Sequence, residues 1–254
     1  MGIFEDLAAE QERVEKILAG LDDAQWLAES GCAGWTIADV VLHLAQSEEA
    51  VEATAAHGHL RAGLGAVLGS TVSGNTVEER ADAAVRMERP VLPSGLAEVF
   101  GRWQRARQAA LAALRAADPD QAVEWMVGSV KPATLATTRL TEQWAHGLDI
   151  TGPLGIDFPD TGRLRHVAWL AHRTLPYALS LAGLPPVPVR CEVTAPDGEE
   201  VWRFGPPEAE SSITGAAGEF CRVAVRRLDP GETGLRSSGP HGTVAVQMLR
   251  TFAA

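Results

Sequence analysis

Two stretches decide how this chain is read: GWTIADVVLHL at residues 34–44 and TEQWAHGLDITGPLG at residues 141–155. In the second, Glu142 and His146 stand four residues apart, so on a helix both project from one face. An exposed helix can carry such a pair without any function. Here the neighbours Ala136, Leu140, Trp144 and Ala145 are apolar, and a carboxylate on an apolar row needs a partner. His43 lies in the equally apolar VVLHLA, where a core histidine bonded to the backbone is the ordinary alternative. Taken together, His43, Glu142 and His146 offer two nitrogens and one oxygen. Zinc accepts such a set while one coordination position stays open, and helical bundles build such sites from facing helices. Nickel, iron or manganese would accept the same ligands. Nothing in the spacing places Cys32 near this set.

The sequence around these stretches is helical in texture. From Phe4 to Leu21, apolar residues recur at threes and fours (Leu7, Val14, Ile17, Leu18, Leu21), which predicts a helix buried on one face. A short segment around Trp26 follows. Thr36 then caps a helix expected over Ile37–Ala56, with Asp39 three residues on completing a capping box. Residues 57–94 are rich in glycine, include Pro90 and Pro93, and read as a crossover or lid interrupted by the helical TVEERADAAVRMER. His57 and His59, flanking a glycine there, read as solvated. A helix is expected from Gly95 to Ala117, then an irregular Trp125–Pro132 stretch. A fourth long helix begins near Ala133 or Thr134 and breaks at Gly152-Pro153. Arg163–Leu181 is expected to be helical, with Pro176 a kink or an N-terminal turn.

Past Pro186 the texture changes. VPVRCEVTAPDGEEVWRF alternates apolar and polar residues about Pro196-Asp197-Gly198, a β-hairpin pattern. GEFCRVAV reads as a strand carrying Cys221 inward, and the C-terminus as a short helix. The expected architecture is mainly α: a helical bundle over residues 1–155, a connecting helix over 156–186 and a small α+β domain over 187–254.

Composition narrows the function. The chain has 254 residues, a formal net charge of −11 and 22% charged residues, with no basic stripe. An acidic surface repels a phosphate backbone, so nucleic acid is not expected as a partner. Three cysteines at wide spacing read as reduced thiols. With no signal-peptide pattern and no long apolar run, a membrane span is not expected and the cytoplasm is the expected compartment.

GWTIADVVLHL and TEQWAHGLDITGPLG together resemble the N-terminal domain of the mycothiol-dependent maleylpyruvate isomerases, members of the DinB-like metal-binding four-helix bundles. The resemblance spans roughly residues 5–155. The tail SITGAAGEFCRVAVRRLDPGET resembles actinobacterial relatives known only as metal-binding. Carried over position by position, the family's metal triad falls on His43, Glu142 and His146. The resemblance implies a zinc-dependent isomerase or S-transferase whose metal activates a low-molecular-weight thiol such as mycothiol. A coordinated thiol is deprotonated at neutral pH. In an isomerase its thiolate would add to an activated C=C bond, allow rotation and leave again; in a transferase it would stay attached or displace a leaving group. The partner implied is a small electrophilic metabolite, with a homodimer left open.

The resemblance also puts a substrate-binding cation in the C-terminal domain, where Arg222, Arg226 and Arg227 are the candidates. A strand with one solvated face is the simpler reading of any one of them. A thiol-independent metal lyase, hydrolase or cyclase, and a non-catalytic metal-binding protein, stay open beside the enzyme reading. Asp39 could orient His43, though capping is the simpler role. Trp35, Trp144 and Trp169 read as core.

Overall fold

The computed structural model describes residues 2–57, 76–89, 95–125 and 128–251. The glycine-rich stretch 58–75, with His59 in the expected crossover, and the prolines at 90 and 93 lie outside them. The chain divides into two compact units between Phe158 and Pro159.

The first unit is a four-helix bundle of α1 (Ile3–Leu18), α3 (Ile37–His57), α5 (Leu96–Ala116) and α6 (Pro132–Leu154). Two shorter helices, α2 (Asp23–Trp26) and α4 (Val77–Glu88), accompany it. In the bundle α1 packs along α6, and α3 along α5. The buried faces follow the apolar periodicity: Leu7, Val14 and Leu18 on α1, Val40, Val41, Leu44 and Val51 on α3, Trp103, Ala110 and Leu114 on α5, and Leu135, Leu140 and Trp144 on α6.

The capping box at the start of α3 forms as expected. The Thr36 backbone N–H and hydroxyl donate to Asp39 Oδ2 at 2.8 and 2.9 Å, and the Asp39 N–H donates to Thr36 Oγ1 at 3.2 Å. Arg89, just past α4, grips the same carboxylate with Nε and Nη2 at 2.9 and 2.8 Å. Asp39 thus belongs to the helix start and to the anchoring of α4.

Two local expectations are corrected. The Trp125–Pro132 stretch contains a short antiparallel ladder, β1 (Val123–Trp125) against β2 (Gly128–Val130), with Val123 opposite Val130. Helix α6 also runs through Gly152-Pro153 and ends at Gly155, whose φ of 64° gives a left-handed cap. Proline is tolerated there because the N–H it lacks would have bonded the Asp149 carbonyl. That carbonyl instead accepts the Gly31 N–H at 2.8 Å.

The second unit carries α7 (Leu164–Leu181), which contains Pro176, and a four-stranded sheet of order β4-β3-β5-β6. Strands β3 (Val189–Thr194) and β4 (Val201–Phe204) form the expected hairpin, with Gly198 at φ 79° in its turn. Strand β5 (Ser211–Ala216) runs parallel to β3, and β6 (Arg236–Ser238) antiparallel to β5. GEFCRVAV is not a strand. It forms helix α8 (Ala217–Ala224), because Ala217, Phe220, Cys221 and Ala224 recur at helical spacing and are all fully buried. A short helix α9 (Gly242–Met248) follows.

Candidate metal centre

Helices α3 and α6 bring His43, Glu142 and His146 together. Glu142 Oε2 lies 3.7 Å from His43 Nε2 and 3.3 Å from His146 Nε2, and the three donor atoms lie within 4.8 Å of one another. Ligands at about 2.05 Å around a tetrahedral zinc stand roughly 3.3 Å apart, so both histidine nitrogens lie near coordination-shell spacing from the Glu142 oxygen. The His43 and His146 side chains are 16% and 11% exposed, while Glu142 is 32% exposed and marks the open side.

Each imidazole is held. The Trp35 ring packs against His43 with centroids 5.4 Å apart, and Trp35 Nε1 donates to Asp82 Oδ1 on α4 at 3.0 Å. Trp35 is therefore a half-buried wall of the site and not a core residue as expected. Trp144 is buried as expected, whereas Trp169 is half-buried with the Arg173 guanidinium 5.7 Å from its ring centroid. On the other ring, His146 Nδ1 meets Asp149 Oδ2 at 2.9 Å. A carboxylate in that place fixes the proton on Nδ1 and directs Nε2 outward, the arrangement that supports metal-bound histidines. The residues present therefore fit a divalent metal.

Cys32, which nothing in the sequence spacing places near the triad, is part of this network. Its Sγ donates to Asp149 Oδ2 at 3.1 Å and lies 3.8 Å from His146 Nδ1. The cause is the bond from Gly31 to the carbonyl that Pro153 releases, which ties the 31–34 turn to α6. A Cβ on Gly31 would stand 2.9 Å from Asp149 Oδ1 and 3.0 Å from its Cα, so the close approach requires glycine. The sequence signal was present, a proline four residues after an aspartate in the last turn of a helix, but its partner is 118 residues away and local pattern cannot name it.

The three side chains shift one another's acidities. For His146, burial favours the neutral ring, but hydrogen bonds with Asp149, Cys32 and Glu142 outweigh it and raise the pKa well above 6.5. For Glu142, burial opposes ionisation, yet His146, His43 and the positive charge of Arg139 hold the carboxyl well below 4.5. His43 is lowered, chiefly by burial.

The three arginines named as substrate contacts lie in the second unit. Arg222 on α8 forms a fork with Asp160, at 2.6 and 2.9 Å. Arg226 takes φ 62°, the left-handed position that ends α8, and the Arg227 N–H closes the turn on the Arg222 carbonyl at 2.8 Å. Arg227 Nη1 donates to the Val225 carbonyl at 2.8 Å. Cys221 is buried in α8, where burial and then the charge of Asp160 push its thiol well above 9.0, so it is no nucleophile.

Fold and site define a DinB-like helical bundle with a candidate metal centre between two of its helices. The family model of the mycothiol maleylpyruvate isomerase N-terminal domain matches residues 7–151, and the chain belongs to that family. Uncharacterised proteins of Mycobacterium tuberculosis, strains CDC 1551 / Oshkosh and ATCC 25618 / H37Rv, are 34% identical over 224 residues, covering 87% of this chain and 84% of theirs. The crystal structure of a mycothiol-dependent maleylpyruvate isomerase matches with a TM-score of 0.61 at 15% identity, covering 94% of this chain and 95% of that one. A point mutant of that enzyme matches with a TM-score of 0.60. At that identity the likeness carries the fold.

Proposed function

We propose that this chain is a metal-dependent enzyme, an isomerase or S-transferase, in which zinc held by His43, Glu142 and His146 activates a low-molecular-weight thiol such as mycothiol for attack on a small electrophilic metabolite. The observation that carries the reading is the spacing of the three donors, with His146 backed by Asp149. Family membership supports the thiol. When bound, the metal would supply a Lewis acid that lowers the thiol's pKa and orients it.

The chain's own residues do the rest. Asp149 keeps the Nδ1 proton on His146 and so presents the basic nitrogen to the centre. Trp35 fixes the His43 ring from one side and shields it from water. Glu142 supplies the negative charge that partly neutralises a divalent cation, and its exposed edge leaves an approach for ligand. The three free cysteines agree with a reducing, cytoplasmic setting, and no described helix is long and apolar enough to cross a membrane.

The test is calorimetric titration of the zinc-loaded protein with mycothiol, followed by the ultraviolet absorbance of thiolate. Saturable binding with thiolate formation near pH 7 is expected. No binding at millimolar thiol would remove the thiol from the reading and leave the metal centre standing.

A further inference from the structure

The second ring nitrogen of His146 has a donor set of its own. His146 and Asp149 stand three residues apart on α6 and share a face. Nδ1 lies 2.9 Å from Asp149 Oδ2 and 3.8 Å from Cys32 Sγ, and that sulfur lies 3.1 Å from the same Oδ2. One sulfur, one nitrogen and one oxygen thus form a closed triangle. Around a tetrahedral zinc, with sulfur at about 2.3 Å and nitrogen or oxygen at about 2.05 Å, such donors stand roughly 3.3–3.6 Å apart. All three edges of the triangle fall within about 0.5 Å of that range, so small side-chain rotations admit an ion.

The triangle is held through the backbone that carries it. The Gly31 N–H donates to the Asp149 carbonyl at 2.8 Å, and Gly31 packs there with no room for a Cβ. The Cys32 N–H donates to Ser30 Oγ at 3.1 Å, and the Cys32 carbonyl accepts the Trp35 N–H at 3.0 Å. Asp149 is buried, whereas Cys32 is half-buried and Gly31, Ala33 and Gly34 are exposed, so a solvent ligand can reach a fourth position from the turn. The donor types differ from those of the triad: a thiolate selects zinc-like, thiophilic ions over magnesium and calcium, which take oxygen ligands. Binding replaces two protons. The Sγ–H and Nδ1–H protons pass to solvent, bonds from sulfur and Nδ1 to the cation take their place, and Asp149 Oδ2 supplies the third protein ligand. The two nitrogens of an imidazole point apart, so an ion on Nδ1 shares no donor atom with one held by His43, Glu142 and His146 Nε2.

We propose that Cys32, Asp149 and His146 Nδ1 form a second cation site, for a thiophilic divalent ion such as cadmium or zinc in excess, with His146 bridging it to the triad when both are filled. The inference goes beyond the enzyme reading above and shares only His146 with it. In the filled site Asp149 ligates the ion instead of holding the Nδ1 proton, so occupancy is coupled to the triad through one ring.

The experiment titrates the metal-free full chain with cadmium-113 and follows the cadmium resonance, which moves downfield when sulfur is a ligand. At two equivalents two resonances are expected, one from nitrogen and oxygen ligation at the triad and one shifted downfield by the Cys32 sulfur. Cys191 and Cys221 are fully buried in the second unit, so they do not compete for the ion. Cys32→Ser should lose the downfield resonance and keep the other, because a serine hydroxyl stays protonated at neutral pH. His43→Ala should do the reverse. No downfield resonance at two equivalents would overturn the proposal, as would its survival in Cys32→Ser or its loss in folded His43→Ala. A downfield resonance alone would uphold the second site and remove the triad reading. Should the variants fail to fold, scalar coupling of cadmium to the Cys32 β-protons and the His146 ring decides in the wild-type chain, and its absence would overturn the assignment.

Discussion

Asp149 Oδ2 sits 2.9 Å from His146 Nδ1, while the other nitrogen of the same ring lies 3.3 Å from Glu142 Oε2. One imidazole therefore links a buried carboxylate to the triad, and Cys32 donates to the same carboxylate oxygen. Asp149→Asn should lower zinc affinity about 10- to 100-fold by weakening the hold on His146, with little change in helical content. Competition with a chromophoric chelator measures it; unchanged affinity would reduce Asp149 to a packing role.

Much of this was legible in the sequence. The bundle helices follow from apolar spacing, and the triad from an i,i+4 pair plus one histidine on a second apolar helix. What was not legible depends on distant pairings. Cys32 reaches the site through a carbonyl freed by Pro153, and Trp35 lines it because Asp82 holds the indole. Helix α8 reads as a strand when weight is put on Val223 and Val225, two β-branched residues two apart, whereas the longer window from Ala217 to Ala224 carries the helical period.

Gly31 packs against the Asp149 backbone so closely that any side chain must displace it. Gly31→Ala should destabilise the protein by about 1–3 kcal/mol, the ordinary cost of overpacking. Zinc affinity should fall with it, because the strain bears on Asp149. Thermal denaturation with and without zinc checks both, and an unchanged melting temperature would count against the tight approach.

Asp39 caps α3 and pairs with Arg89, which occupies both of its carboxylate oxygens. Asp39→Ala should cost about 1–2 kcal/mol of stability through the lost cap, yet leave stoichiometric zinc in the folded protein. Loss of zinc at retained fold would restore a role in orienting His43.

Proton linkage gives a sign. In the metal-free protein the raised His146 pKa means that its stabilising contribution is fully present below pH 6.5 and is lost as pH rises through the raised value. The depressed Glu142 pKa makes the opposite contribution, present above pH 4.5 and lost as pH falls below it. Zinc must displace the His146 proton, so binding near pH 7 should release about one proton and weaken as the solution is acidified. Calorimetry in buffers of different ionisation enthalpy reads the release; a proton count near zero at pH 7 would contradict the charged His146.

Elemental analysis of the purified chain beside His43→Ala and His146→Ala tests the central claim most directly. About one equivalent of divalent metal per wild-type chain, with zinc the expected ion, should fall to background in both variants while circular dichroism still reports the helical bundle. Stoichiometric metal retained by both folded variants would contradict the account.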